Sequence, residues 1–276
     1  VRMDYLTQKP APRSIPYYPQ QGVIARYALG RDYHKTLRKR LQKFAEKISA
    51  EVDSMGYRAF VDSAPVLERA IAEQAGLGWI GKNTMLINKQ AGSFFFLGEI
   101  FTDLPLISDQ AVGHHCGSCQ ACIAICPTQA IVAPYELDAR LCISYLTIEN
   151  KGVIAPHLRS LIGNRIFGCD DCQLICPWNR YAKLSAEDDF KARHGLDSLS
   201  LLELFLWSEQ TYLDKTEGSP IRRVGYDGFL RNIAIGLGNA PYDPNIIKAL
   251  EEKKEKVSNL VQEHIDWAIN EQKSRI

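Results

Sequence analysis

The cysteines bring the first chemistry to this chain. Its 276 residues include eight of them. Seven fall in two runs, Cys116-Gly-Ser-Cys119-Gln-Ala-Cys122-Ile-Ala-Ile-Cys126-Pro127 and Cys169-Asp-Asp-Cys172-Gln-Leu-Ile-Cys176-Pro177, and Cys142 lies between them. The first run has the C-x2-C-x2-C-x3-C-P spacing of bacterial ferredoxins, in which three close thiolates hold one [4Fe-4S] cubane and the fourth reaches the other. The spacing therefore assigns Cys116, Cys119, Cys122 and Cys176 to one cluster. Cys126, Cys142, Cys169 and Cys172 take the second, and every cysteine is used. Two four-thiolate zinc sites are the simpler alternative, because C-x2-C pairs also bind zinc. The interleaved runs and both Cys-Pro endings argue against zinc. A disulfide framework is not needed in a chain long enough to bury a core.

Hydrophobic residues make up 46% and charged residues 24% of the chain, ordinary values for a soluble globular protein. The formal net charge of +1 says nothing of nucleic acid, so any basic surface must come from local clustering. No apolar run approaches membrane-spanning length. The opening Val1-Arg2-Met3 has no signal-peptide pattern and reads as the end of a strand, so a preceding segment is expected. Reduced thiolates without an export signal suit a cytoplasmic protein, expected to be monomeric.

The elements that must position these groups fall into three units, an α+β domain at 1–112, a cluster module at 113–182 and a helical module at 183–276. Residues 7–22 are a proline-rich loop. From Tyr33 the spacing predicts an amphipathic helix with Leu37, Leu41, Phe44, Ile48 and Val52 buried. Lys35, Lys39 and Lys43 lie on its opposite face, which is either solvated or meets a phosphate backbone. Gly56 to Asp62 reads as a strand, and Ser63-Ala64-Pro65 turns it into a helix with Pro65 in the first turn and Gly76 as its stop. Asp62 then ends a strand, where α/β proteins place chemistry; its alternative role is to cap the helix. Leu77 to Thr84 is a glycine-bearing loop without P-loop spacing. Met85–Ile87 and Ser93–Thr102 read as a hairpin around Asn88–Gly92.

Within the cluster module, Ile131 to Leu137 reads as a short strand and Leu158 to Arg165 as a helix, while Asp170 and Asp171 are expected to hold a turn. Beyond residue 195 the pattern is helical. Ser200 and Glu203 form a capping box, one helix runs from about Pro220 to Gly238-Asn239, another starts at Pro244, and the last passes through Leu260, His264 and Ile269. The series suggests a HEAT-like helical pair. Arg222, Arg223 and Arg231 could form a basic strip on it, and His264 reads as a packed residue.

Two cubanes make a wire for single electrons, but a plain carrier does not need such long flanking units. No Rossmann Gly-x-Gly-x-x-Gly is present. Asp32-Tyr-His34-Lys-Thr-Leu37 begins like the cobalamin signature Asp-x-His-x-x-Gly and ends in leucine. The residues alone thus lead to an iron-sulfur reductase with an unidentified second cofactor.

Seven stretches carry a resemblance further. Among them are Arg26-Tyr-Ala-Leu-Gly-Arg-Asp-Tyr-His-Lys35, Val61-Asp-Ser-Ala-Pro-Val-Leu-Glu-Arg69, Ala75-Gly-Leu-Gly-Trp-Ile-Gly-Lys82, Gly92-Ser-Phe-Phe-Phe-Leu-Gly-Glu99 and Leu230-Arg-Asn-Ile-Ala234. They resemble the epoxyqueuosine reductases over nearly the whole chain. That resemblance implies a nitroreductase-like cobalamin-binding domain, a two-cluster module and HEAT-like helices that complete a tRNA-binding surface. It implies reduction of epoxyqueuosine to queuosine at the wobble position of a tRNA, with electrons from an external carrier such as flavodoxin or ferredoxin. Cobalamin would sit base-off, with His34 a pocket residue and not an axial ligand. Asp62 matches the family's proposed proton donor. To act as an acid near neutral pH it needs a pKa raised well above the ~3.9 of a free side chain, and its apolar neighbours Phe60, Val61, Ala64 and Pro65 suggest desolvation in that direction. Asp32, Ser63, Arg69, Lys82 and Ser93 are the implied cofactor contacts, although Arg69 could instead pair with Glu73. Lys35, Lys39, Lys43, Arg222, Arg223 and Arg231 become candidates for tRNA contact. The rival readings are a corrinoid reductive dehalogenase of small organohalides and a ferredoxin-like electron carrier.

Overall fold

The computed structural model describes residues 1–9, 18–52, 55–62 and 64–276; much of the expected proline-rich loop lies outside them. In chain order the elements are β1 (Arg2–Asp4), β2 (Val23–Ile24), α1 (Tyr33–Glu51), β3 (Tyr57–Phe60), α2 (Glu68–Gln74), β4 (Trp79–Ile80), β5 (Leu86–Ile87), β6 (Phe95–Leu97) and β7 (Glu99–Thr102). The cluster region follows with α3 (Ala121–Ile125), β8 (Ile131–Ala133), β9 (Glu136–Leu137), α4 (Ile143–Ile148), α5 (Pro156–Ile162), β10 (Arg165–Phe167) and α6 (Asp171–Leu174). The rest is helical: α7 (Leu201–Phe205), α8 (Glu209–Lys215), α9 (Gly225–Asn239), α10 (Pro244–Lys254) and α11 (Asn259–Lys273). The fold mixes helices and strands as expected, but among the described residues the strands form only two-stranded pairs.

Residues Phe95–Thr102 run almost unbroken through Gly98, with β1 antiparallel on β6 and β3 antiparallel on β7. Gly98 is where α1 comes close, because a Cβ there would stand 2.8 Å from Leu41 Cδ1. The buried stripe of α1 is therefore Leu37, Leu41 and Ala45, while Phe44 and Val52 face solvent. The expected stripe was too wide because the helix covers a narrow patch. The expected hairpin is corrected too. β5 pairs with β4 and β6 with β1, and only Asn88 and Gly92 bridge the turn between them. Pro65 precedes α2 instead of opening it, and Gly76 follows its end with φ +67. The helix predicted over Leu158 to Arg165 stops at Ile162, where Gly163 adopts φ +64 and lets Arg165 enter β10.

The largest core gathers around α9, whose residues 228–238 are all buried, as expected of a helix apolar nearly all round. α11, α7 and β10 pack on it, and β10 pairs in parallel with β2 from the front of the chain. The capping box at Ser200 and Glu203 forms as predicted. The helix expected from Pro220 begins as a 3-10 turn, Pro220–Val224, before α9. Two polar side chains inside α9 join the cluster region to the helices. The Arg231 guanidinium donates to Leu146 O at 2.9 Å, Asn150 O at 2.7 Å and Gly152 O at 2.8 Å, and Asn232 Nδ2 donates to Thr147 O and Ile166 O, each at 2.8 Å. Their targets are carbonyls that would otherwise be buried without partners.

Candidate active site

The eight cysteines are all free thiols, and they separate into two groups around two cavities. Cys126, Cys142, Cys169 and Cys172 line one of about 410 Å³, and Cys116, Cys119, Cys122 and Cys176 line another of about 250 Å³. These are the two quartets read from the spacing. The β4–β5 turn spans both. Lys82 Nζ donates to Gly117 O at 2.7 Å and Cys119 O at 2.9 Å beside the second quartet, and Asn83 Nδ2 donates to Cys172 O at 3.3 Å beside the first. Burial and then neighbouring thiols push Cys122 and Cys172 upward, and Cys176 is pushed up to about 11. Four thiolates at each site stand together when a metal cation balances them, and two such quartets are the donor set that two [4Fe-4S] clusters take.

The larger cavity has mostly apolar walls, including Tyr5, Phe95, Phe96, Ile131 and Leu137, and its polar members include Asp62, Glu68, Arg69, Asn83, Thr84 and Gln173. Arg69 donates to Thr84 O, and Glu73 accepts from Ile80 N at 2.6 Å, so the alternative Arg69–Glu73 pairing is replaced by these contacts. Among the described residues no histidine lines this cavity. Its apolar walls, polar members and neighbouring thiols make a lining suited to a corrin.

Asp62 sits in the left-handed region at φ +42, just past β3, a conformation few non-glycine residues take. It does not cap α2. Its backbone N–H donates to the Glu68 carboxylate, and its side chain points toward the first turn of α1. Oδ2 accepts from Tyr33 OH at 2.6 Å and lies 3.0 Å from His34 Nε2, while His34 Nδ1 lies 2.7 Å from Asp32 Oδ1. Asp32 also caps α1 by accepting from His34 N at 3.1 Å. The imidazole is thus held between two carboxylates. Hydrogen bonds donated to Asp32 and Asp62 raise His34 to about 9. The His34 hydrogen bond also outweighs burial at Asp62 and holds its carboxyl below the usual range. This reverses the expected upward shift. Apolar neighbours were legible in the sequence, but the charged partner arriving from another element was not.

Tyr27, Tyr33 and Asp62 also line a second cavity, whose far side carries Glu149, Arg222 and Arg223. That cavity shares Asp32, Lys35 and Glu217 with an open groove bordered by Lys39, Lys43, Arg40 and Arg193. Lys35, Lys39 and Lys43 are exposed as predicted. Arg40 pairs with Glu187 and Arg31 with Asp189, the latter at 3.2 Å. Arg231 is a correction, because its buried guanidinium cannot join a surface strip. Arg222 and Arg223 remain exposed.

The other expected contacts are scattered. Ser63 lies outside the described residues. Ser93 is buried and turned away from the large cavity, with its Oγ accepting from Asn179 Nδ2 at 3.0 Å and from Gln173 Nε2 at 3.0 Å. That knot needs Gly92, because a Cβ there would meet Asn179 Oδ1 at 2.1 Å. Lys82 serves the cysteine loop, as described above. Asp170 and Asp171 do not simply hold a turn. Asp170 accepts from Arg26 N at 2.8 Å and Nη1 at 3.2 Å, and Asp171 pairs with Arg165 at 2.6 Å. His264 is packed as expected, accepting from Ile154 N at 3.2 Å, and burial lowers it to about 4. Tyr33 and Glu68 are the residues that sequence reasoning missed; only their nearness to Asp32 and Asp62 along the chain could have marked them.

Comparison with known proteins follows the same lines. Residues 115–179 match the model described as a 4Fe-4S double cluster binding domain, and residues 1–63 match the one described as epoxyqueuosine reductase QueG, DUF1730. The chain is 60% identical over 270 residues to the epoxyqueuosine reductase of Pseudomonas aeruginosa, covering 98% of this chain and 75% of that one. Its identity to the Escherichia coli enzyme is 57% over 275 residues, covering 100% of this chain and 72% of the other. Among solved structures, the epoxyqueuosine reductase of Streptococcus thermophilus superimposes with a TM-score of 0.87 at 30% identity, covering 100% of this chain and 73% of that one. An epoxyqueuosine reductase bound to an epoxyqueuosine-modified tRNA stem loop gives a TM-score of 0.77 at 27% identity, covering 99% and 80%.

Proposed function

The chain belongs to the epoxyqueuosine reductase family, and from that membership we propose that it reduces epoxyqueuosine to queuosine in the anticodon of a tRNA, using cobalamin and two [4Fe-4S] clusters. The observation that carries the reading is the position of Asp62. Its carboxylate lines both the large apolar cavity beside four thiols and the cavity that opens toward the basic groove. A nucleoside entering from the groove would meet Asp62 at the wall between the two. The stem-loop complex of a relative supports a tRNA as the occupant of the groove.

The quartet Cys116, Cys119, Cys122 and Cys176 would hold the outer cluster and Cys126, Cys142, Cys169 and Cys172 the inner one, since the inner quartet shares its cavity with Asp62. Bound in the large cavity, cobalamin would supply a low-valent cobalt able to attack the epoxide. The apolar walls exclude water from the reacting carbon, which strengthens every charge interaction there. Arg69 and Thr84 are suited to the amides of a corrin, whereas Asp32 and Lys82 act at one remove, through His34 and the cysteine loop. Tyr33 holds the Asp62 carboxylate in one orientation, and Asp62, once protonated, delivers its proton to the epoxide oxygen. Lys35, Lys39, Lys43, Arg222 and Arg223 would meet the phosphates. The protein as a whole acts in the cytoplasm on electrons from a small one-electron carrier such as flavodoxin or ferredoxin.

The test is anaerobic reconstitution with iron, sulfide and cobalamin, followed by incubation with epoxyqueuosine-containing tRNA and a one-electron reductant. Conversion of the modified base to queuosine is expected. Two clusters with no corrinoid retained would reduce the protein to an electron carrier, and turnover of organohalides without turnover of tRNA would make it a dehalogenase.

A further inference from the structure

We propose that His34 is a positioning residue that stores the protons Asp62 delivers, so that both protons the reduction consumes pass in turn through one carboxylate. The proposal rests on Asp62 being the donor to the epoxide. Conversion of an epoxide to an alkene breaks two carbon–oxygen bonds, forms the second carbon–carbon bond and two oxygen–hydrogen bonds, and releases water. It consumes two electrons, supplied by the one-electron carrier, and two protons. The ionised Asp62 carboxylate holds neither until one is passed to it.

The geometry supplies them one at a time. His34 Nε2 lies 3.0 Å from the same Asp62 oxygen that accepts from Tyr33 OH at 2.6 Å, and its Nδ1 lies 2.7 Å from Asp32. In the imidazolium form both nitrogens donate, and the ring can pass the Nε2 proton to Asp62, which hands it to the epoxide oxygen; the ring then refills from solvent and repeats the transfer for the second proton. Asp32 then steadies the neutral ring through Nδ1–H, as a carboxylate does behind a catalytic imidazole. The ring is stacked on Tyr33 with centroids 4.2 Å apart, and Tyr33 lies flat on Phe96 at 3.9 Å. The imidazole is therefore fixed in place for the exchange. His34 and Asp62 also line the cavity shared with the groove, which gives the imidazole a path to solvent for refilling.

Charges face His34 from three sides. From its own helix and that helix's cap these are Lys35 and Asp32, from the β3–α2 connection Asp62, and from the start of α2 Glu68. Across the cavity lie Glu149, Glu217, Arg222 and Arg223. The two carboxylates in direct contact dominate and raise the imidazole to about 9, so the store is full at neutral pH. It empties as pH rises through that value.

Two measurements test this. The first is the pH dependence of kcat for the reconstituted enzyme and for His34→Gln. Wild-type turnover should hold to near pH 9 and then fall. His34→Gln should keep turnover only at the acid end, with its falling limb moved down by at least about one pH unit, because Asp62 must then fill from solvent. The second is a titration of the His34 ring signal in oxidised protein bearing labelled histidine, which does not depend on turnover. Its midpoint should fall by at least about one unit in Asp62→Asn. A His34→Gln profile that superimposes on the wild type, or an inactive His34→Gln at every pH with clusters and corrin intact, would overturn the store. An unmoved ring titration would overturn it as well. Full activity in Asp62→Asn would instead overturn the donor role beneath it.

Discussion

The two thiol quartets are alike in composition and unlike in surroundings. Cys126, Cys142, Cys169 and Cys172 face the large cavity among Asp62, Arg69 and a wall of aromatic side chains, whereas Cys116, Cys119, Cys122 and Cys176 face a smaller one with His115, Trp178 and Arg180, and Cys119 is exposed. On the proposed reading, one ligand pattern serves two purposes. The difference teaches that spacing along the chain groups the thiols, while the elements folded around each quartet set what it faces: a wide apolar cavity with Asp62 at one, a smaller cavity with an exposed cysteine at the other.

Breaking one quartet at a time tests that contrast most strongly. Cys172→Ser should abolish turnover with every reductant, because the site beside Asp62 is lost. Cys119→Ser should abolish turnover with a protein electron donor but leave measurable activity with a small chemical reductant. Equal losses under both reductants would erase the distinction between inner and outer sites. A second contrast lies between two sets of cations. Arg231→Ala strips the partner from three buried carbonyls and should cost about 3 kcal/mol. For a chain of this size that lowers the thermal midpoint by roughly 6–12 °C, and the salt dependence of tRNA binding should not change. Replacing Lys35, Lys39 and Lys43 together by alanine should do the opposite. Stability should stay within about 0.5 kcal/mol of wild type, and the slope of log affinity against log salt should flatten by about 2. An unchanged slope would return these lysines to a solvated face.

Much of this arrangement was legible in the sequence because its signals are local. The cysteine runs, the capping box at Ser200 and Glu203, the start of α1 at Tyr33 and the packed His264 each depend on residues a turn or two apart. What escaped depends on contacts across the chain. Arg231 reads as a surface cation until α4 and the loop after it bring their carbonyls to it. Ser93 and Lys82 read as cofactor contacts until the second cysteine run and the first, respectively, occupy their hydrogen bonds. Asp62 read as a carboxyl raised by apolar neighbours, and its actual partner comes from 28 residues away. The hairpin around Asn88–Gly92 failed for a similar reason, since β1 competes for β6 and β4 for β5.

The most direct test of the account is turnover of epoxyqueuosine-containing tRNA by Asp62→Asn, loaded with both clusters and cobalamin and reduced in parallel with the wild type. The account predicts unchanged cluster and corrin spectra, unchanged tRNA binding and no queuosine. Queuosine formed at the wild-type rate would contradict it.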